Sequence, residues 1–313
     1  MIYNYAMKYL YSCLLLLMVL GLCSCERKEL FSHEELYTAP THISADWQGQ
    51  SATASALQIR ISGTHQDIHL DTLFTLESDA TATLALLEAE YHIIAWHDAA
   101  NVSFNGSLFH LSIGEDGLLR EPSHFCAAES TVPVNPEQEN RLSLKMYPQT
   151  RMLKLSLNVD KGSPELITGI EATLSGVAAE RSVSGTTPRN STTGNIRLNF
   201  TQDGNTLSAG HRLLGIASGV PQELTLTLHY SEGEPQTETY NLSPLLTTFN
   251  RFDVSGSTDM FTLTGKLSLY QSVEEAGISG SIEDWTPGTE TDMDANGYAD
   301  DADKADEHEL ITH

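Results

Sequence analysis

The sequence predicts an all-β protein of two tandem β-sandwiches, with an export segment in front and a flexible acidic tail behind. Three observations carry that expectation. Short runs in which apolar and polar residues alternate recur from Ile43 to Trp285, and a period of two marks a strand with one buried face. The 22 glycines and 11 prolines stand among many Ser and Thr, a composition that favours turns and strands over long helices. Roughly fourteen such runs fall into two blocks with turn signals at close intervals, which suits two sandwiches better than one closed barrel.

Size and charge narrow the field further. The 313 residues are 40% apolar, enough to give each of two domains a packed core. Asp and Glu number 42 against 17 Lys and Arg, and the formal charge of −25 would repel a nucleic-acid backbone rather than neutralise its phosphates. No nucleic acid is therefore expected as a partner. No internal repeat appears at solenoid period.

The amino-terminal segment reads as a removable export signal over residues 1–24. Lys8 precedes an apolar stretch from Leu14 to Leu22, and small residues follow at the cut. The stretch is too short to span a bilayer comfortably, since a helix needs about 20 apolar residues to do so. The string Leu22-Cys23-Ser24-Cys25 resembles a bacterial lipobox, whose cysteine takes a diacylglycerol on its thiol and an acyl group on its nitrogen. Cys25 is the expected site; Cys23 competes, but the residue before it, Leu22, is bulky for a cleavage site. The charged cluster Glu26, Arg27, Lys28 and Glu29 resembles the tag that sends lipoproteins of the Bacteroides group to the outer face of the outer membrane. Cleavage before Cys25 leaves one lipidated residue and a lone Cys126, so no internal disulfide is expected.

After a lipidated linker over residues 25–40, the first block reads as a sandwich over residues 41–148. Ile43, Ala45 and Trp47 alternate, then Leu57, Ile59 and Ile61. Leu84 and Leu86 precede a turn-like Glu88 to Glu90, and Tyr91, Ile93 and Ala95 follow, which reads as a strand pair. Further strands are expected at Leu108 to Ile113 and Leu142 to Met146. The second block, over residues 149–285, opens with Leu153, Leu155, Leu157 and Val159. Strands follow at Ile170 to Leu174, Ile196 to Phe200, Leu213 to Ile216 and Leu224 to Tyr230. Ser231 to Pro235 supplies turn residues before Thr237 to Leu242, so that pair reads as a hairpin. Phe261 to Leu269 comes next, then a short helical insert around Val273 to Ala276, and Ile278 to Trp285 closes the block.

Residues 286–313 hold nine acidic side chains against Lys304 alone, too little apolar surface to offset the entropy of ordering. Within this tail Asp292, Asp294, Asn296, Asp300 and Asp303 fall at positions 1, 3, 5, 9 and 12 of a calcium loop, with Gly297 at 6. Ala299 stands where a branched apolar residue normally tethers such a loop, position 12 is Asp rather than Glu, and no amphipathic helix flanks it. A calcium site and a plain solvated spacer both fit these residues.

Catalytic signatures are missing. His308-Glu309-Leu310-Ile311-Thr312 has Thr312 where a zinc protease needs its second histidine. His65 and His69 are four apart, but an extended segment does not bring such residues together, and they read as surface histidines. There is no nucleophile elbow, P-loop or dinucleotide fingerprint. Cys126 reads as a buried, inert thiol. Trp47, Trp96 and Trp285 lie on or beside strand runs, either pinning the sandwiches or lining a binding groove. Asp71-Thr72-Leu73 resembles a short O-glycosylation acceptor of Bacteroides.

Taken in order, several strings resemble one family. They are the lipobox Cys25 with Glu26 to Glu29, Ala45-Asp46-Trp47, the Tyr91 to Trp96 strand, TGIEATLSGVA at Thr168 to Ala178, and Ile282-Glu283-Asp284-Trp285. Together they resemble the FimB-type fimbrial anchor lipoproteins of Bacteroidales, over about Cys25 to Trp285. The resemblance implies two transthyretin-like, Greek-key sandwiches at the base of a pilus, tied to the outer membrane by lipid. It also implies strand exchange with fimbrial stalk subunits through main-chain hydrogen bonds. Stalk subunits of that family lose a leading strand to an arginine-specific protease. Here, apart from Arg27, no arginine precedes Arg60, so the leading strand is expected to stay. The acidic tail departs from the alternating apolar pattern of a donor strand. The expectation is thus a non-catalytic outer-membrane lipoprotein that anchors or initiates a fimbria; a surface glycan-binding lipoprotein is the alternative.

Overall fold

The computed structural model describes residues 37–48, 54–184, 192–251, 259–272 and 277–287. The chain divides after Thr38 into a leading unit, outside the described residues but for its last two, and a body from Ala39 onward. The expected lipidation site Cys25, the acidic tail from Gly288 onward with its calcium candidates, and the expected helical insert at 273–276 all lie outside the described residues.

Strands dominate. The first series is β1 (Thr38–Asp46), β2 (Ala56–His65), β3 (Ile68–Glu77), β4 (Thr81–Leu87) and β5 (Ala89–Trp96). A short hairpin, β6 (Val102–Phe104) and β7 (Leu108–Leu111), precedes β8 (Cys126–Val134), β9 (Asn140–Lys145) and β10 (Tyr147–Pro148). The second series opens with β11 (Arg151–Lys161), a single 3-10 turn at Pro164–Leu166, β12 (Ile167–Ala178), β13 (Glu180–Ser182) and β14 (Thr193–Asn199). It ends with β15 (Thr201–Asp203), β16 (Thr206–Leu213), β17 (Glu223–Tyr230), β18 (Gln236–Asn241), β19 (Met260–Ser272) and β20 (Gly277–Pro287).

Both series wind in the same order. In the first, one sheet runs β4-β1-β9 and the other β10-β8-β5-β2-β3; in the second, one runs β15-β16-β11-β19-β20 and the other β14-β12-β17-β18. With the short β6, β7, β10, β13 and β15 set aside, each places its fourth, first and seventh strands in one sheet and its third, second, fifth and sixth in the other. First and seventh strands run parallel in both, β1 with β9 and β11 with β19. This is a Greek-key sandwich made twice.

Alternation explains the layers. Leu57, Ile59 and Ile61 of β2 are fully buried against Tyr91, Ile93 and Ala95 of β5, while Gln58, Arg60 and Ser62 turn outward. In β11, Leu153, Leu155 and Leu157 face the second core in the same way. Each such side chain contributes roughly 1.5–3 kcal/mol on burial.

The hairpin β6–β7 joins neither sandwich sheet. It pairs instead with β13, matching His110 with Glu180 and Leu108 with Ser182, so a fifth, small sheet ties the two series together. At this junction Arg181 is fully buried, with Nη1 donating to the Leu214 carbonyl at 3.0 Å and Nε to Gln149 Oε1 at 3.3 Å. Burial lowers its pKa to about 9, which still leaves a cation at neutral pH. Arg151 sits over the Phe249 and Phe261 rings, 5.9 and 5.1 Å from their centroids.

Three expectations are corrected. β4 and β5 are not a pair: β4 bonds to β1 in one sheet and β5 to β2 and β8 in the other, because the chain crosses between sheets at Glu88. The strand placed at Leu213 to Ile216 lies earlier, at Thr206–Leu213, where Leu207, Ala209 and Leu213 supply the buried face. The run Leu108 to Ile113 is a strand only to Leu111; beyond it Ile113 is exposed and makes an isolated bridge to Leu119. The expected hairpin of β17 and β18 is present, with Glu223 opposite Asn241 and Leu228 opposite Gln236.

Candidate functional site

A backbone edge is the feature that separates the two sandwiches. In the second, β19 is covered along most of its length by β20, from Leu263 opposite Pro287 to Ser272 opposite Gly277. In the first, the equivalent strand β9 ends its sheet, and among the described residues nothing pairs with its outer side. An edge strand presents a row of main-chain donors and acceptors that a further strand can take up.

The covered edge is also finished, whereas the open one is not. Gln236 of β18 reaches the far side of β20 and holds the Gly280 peptide, donating from Nε2 to its carbonyl at 2.8 Å and accepting from its N–H at 2.8 Å. Tyr230 donates to the same amide oxygen at 3.1 Å, and burial pushes its phenol up to about 12, so it stays protonated. Gly280 allows this approach: a Cβ there would meet the Tyr230 hydroxyl at 2.8 Å. Farther along, Asp284 takes a left-handed φ of 54° beside a register shift, and Lys266 reaches its carboxylate at 3.3 Å. A bulge of this kind twists an edge away from further pairing. Among the described residues β9 has no such bulge or amide clasp. Its Asn140 and Leu144 face the core, while Arg141, Ser143 and Lys145 are exposed on the other face. Its partner β1 is in place, matched from Thr41 opposite Asn140 to Asp46 opposite Lys145.

Residues singled out in the sequence distribute as follows. Trp47 is pinned by its indole N–H, which donates to the Ser78 carbonyl at 3.1 Å. Trp285 packs on Tyr240 with centroids 6.1 Å apart. Trp96 lies 4.3 Å from Phe104, centroid to centroid, and lines a cavity on the outer face of the first sandwich. His65 and His69 do not converge: Nδ1 of His65 meets the Glu88 carbonyl, and Nδ1 of His69 meets the Thr64 hydroxyl at 2.9 Å. Among the described residues no group of His, Cys, Asp and Glu could hold a metal ion. Cys126 is buried, its sulfur 3.7 Å from His124 Nε2. Thr72 stands on the core-facing side of β3, opposite Ile61, and Asp71 is occupied by a two-pronged contact from Arg60 at 2.7 and 2.8 Å that holds its carboxyl below the usual range. Sequence reasoning missed the β9 edge, whose openness depends on which strands are neighbours. It also missed Gln58, Arg60 and His92, whose outward positions on strands look like any solvated face.

No protein-family model matches the chain, and no curated protein matches it. Solved structures do. The fimbrial anchor protein Mfa2 from Porphyromonas gingivalis is similar at 13% identity over 79% of this chain and 98% of that one, with a TM-score of 0.50. A proposed adhesin from Bacteroides ovatus is similar at 11% identity over 81% and 96%, with a TM-score of 0.55. A proposed polysaccharide-binding protein from Bacteroides thetaiotaomicron matches at 11% identity over 82% and 100%, with a TM-score of 0.52. The chain shares their fold. Identities this low speak to fold alone, because one fold hosts many functions.

Proposed function

We propose that this chain is a non-catalytic, lipid-tethered cell-surface protein that anchors or initiates a fimbria by accepting a subunit strand along β9. One observation carries the reading: two sandwiches of one strand order differ in that the second has β20 on its seventh strand and, among the described residues, the first leaves β9 open. The fold likeness to a fimbrial anchor supports it. So does the lipobox-like sequence ending at Cys25, with its charged cluster behind. Among the described residues no helix is long and apolar enough to cross a membrane, and the proposed tether is acyl chains, each buried methylene contributing about 0.8 kcal/mol.

The chemistry of the partner follows from β9. A strand added there needs alternating apolar residues to continue the core face of Asn140, Leu142 and Leu144. Its outward positions should be acidic, opposite Arg141 and Lys145, as Glu283 lies opposite Lys266 in β20. Purified chain mixed with fimbrial stalk subunits should retain them, and hydrogen exchange should slow at β9 amides and not at β18. Electron microscopy of a deletion strain should show fimbriae shed from the cell. Cell-bound fimbriae unchanged in number and length, or β9 amides indifferent to the subunits, reject the reading.

A further inference from the structure

The face of β2, β3 and β5 turned away from the first core carries three depressions in a row. The first, about 280 Å³, lies among Gln58, Leu73, Trp96 and Phe104 with Asp98 and Ser103 lining it. The second, about 190 Å³, sits over Arg60, Ser62, His92 and Ile94, under Gly106 at the tip of the β6–β7 hairpin. The third, about 630 Å³, is shared by Thr64, His69, Asp71, Glu90 and Thr131, and meets the second at Ser62 and His92. Strand register sets this order, since Gln58 faces Trp96, Arg60 faces Ile94 and Ser62 faces His92. Outward positions along β2 from Gln58 to Thr64 therefore set a path about 20 Å long at the usual rise per residue, on which the second and third depressions join and the hairpin tip at Gly106 lies against Arg60 between the first and second.

Its floor dictates what can lie in it. β2 is bonded on both sides, to β3 and β5, and β5 to β2 and β8, so a peptide laid here finds no main-chain ladder to join. Only side chains face the occupant. At one end they are aromatic: Trp96, Phe104, Phe109 and Phe125 form a column with successive centroids 4.3, 4.9 and 4.8 Å apart, which fixes the half-buried indole from beneath. Toward the other end they are planar or hydroxylic, and they are held in place. Arg60 and Asp71 brace each other, and His92 meets Glu129 at 2.7 Å. Gln58 accepts from the Thr75 hydroxyl at 3.3 Å, leaving its amide hydrogens as donors.

A sugar ring has the matching surface. Its C–H faces stack on an indole, and its hydroxyls need donors and acceptors interleaved at short spacing. Arg60 neutralises Asp71, and the remaining carboxylates Glu90 and Asp98 disfavour an anionic ligand. Braced side chains lower the cost of ordering on binding. We propose that this groove binds a linear, neutral oligosaccharide, with one sugar stacked on Trp96 and the chain running past Arg60 and His92 toward Thr64. The inference stands apart from the anchor reading, because it uses a sheet face and not the β9 edge.

The test uses the purified full chain on an array of neutral oligosaccharides from monosaccharide to hexasaccharide, with calorimetry on the series that binds. Affinity should climb with length and level off once about 20 Å is filled. Trp96→Ala should weaken binding of every length about tenfold or more, and His92→Ala should weaken the longer chains only, about threefold. Circular dichroism checks that each variant folds; should Trp96→Ala fail that check, Gln58→Ala replaces it and should cost about threefold at every length. The proposal is overturned if no neutral oligosaccharide binds at about 10 mM. It is equally overturned by affinity independent of length, by folded variants that bind like the parent, or by an extended peptide that binds the groove in place of sugar.

Discussion

Replacing Gln236 with alanine isolates what keeps β20 on its sheet. The side chain belongs to β18, in the opposite sheet of the second sandwich, yet its amide makes two 2.8 Å hydrogen bonds to the Gly280 peptide of β20. Each bond is worth about 0.5–1.5 kcal/mol net, so the two to β20 account for about 1–3 kcal/mol of the cost of Gln236→Ala, and the Tyr230 hydroxyl loses its acceptor besides. That cost should appear locally, because β20 is an edge strand whose opening exposes itself, β19 and the few core side chains it covers, Leu228, Tyr230 and Tyr240 among them. Native-state hydrogen exchange is the assay. Amides of β20 and of the covered side of β19 should exchange about 5- to 150-fold faster, the factor that corresponds to 1–3 kcal/mol. Amides of β2 and β5 in the first sandwich should hold their rates. Unchanged exchange in β20 would show that Gln236 merely decorates the edge. A uniform rise through β2, β5 and β20 would show that the loss is global, and the argument for a separately finished edge would fail.

Three other outcomes are expected. Cys25→Ala should move the protein from the membrane fraction to the soluble fraction, and native material should carry acyl groups by mass spectrometry; a variant that stays membrane-bound rejects the tether. Phe249→Ala removes a fully buried ring that packs on Phe261 at 5.5 Å and under Arg151, and should cost about 3–5 kcal/mol in urea denaturation; a loss below about 1 kcal/mol contradicts the packing described. Burial lowers the pKa of His97, His124 and His211 near the junction, against the raising influence of Asp98, Asp259 and Glu121 respectively. The unfolded chain therefore binds more protons just below the ordinary histidine value, so thermal stability should fall as pH drops from 7 through about 6.5, and a melting temperature flat to pH 5 rejects this.

Legibility in the sequence followed how cleanly each strand alternates. β2 and β11 were readable because Leu57, Ile59, Ile61 and Leu153, Leu155, Leu157 stand at strict period two over one buried face. β3 was not, since Thr72 points inward while Leu73, an apolar residue, points out and is 58% exposed. β8 was obscured by its small Ala127 and Ala128 and by Pro133, a residue that argues against an interior strand. Pairing was harder still. β4 and β5 adjoin in sequence across Glu88, and only the sandwich topology sends them to opposite sheets. The β9 edge and the outer groove share that difficulty: each is a relation among strands far apart in the chain, and no local pattern encodes it.

Placement of β9 beside β1 gives the proposed anchor a mechanical logic. Chain continuity runs from Cys25 into β1, and β1 lies parallel to β9 over six matched positions, Thr41 with Asn140 through Asp46 with Lys145. A subunit strand added to β9 and drawn away from the Cys25 end of β1 would load the sheet along the strand direction. The load would pass from the added strand to β9, then to β1 and the acyl chains, and at each interface it would act in shear. Bonds in a ladder loaded that way must yield together, whereas a ladder peeled from one end yields one bond at a time. On that reading the anchor requires its leading strand: without β1, β9 would lose the one ladder it makes among the described residues, and an added strand would lose this path to the proposed lipid. For the same reason a protease site between Cys25 and β1 would defeat an anchor even while leaving both sandwiches folded.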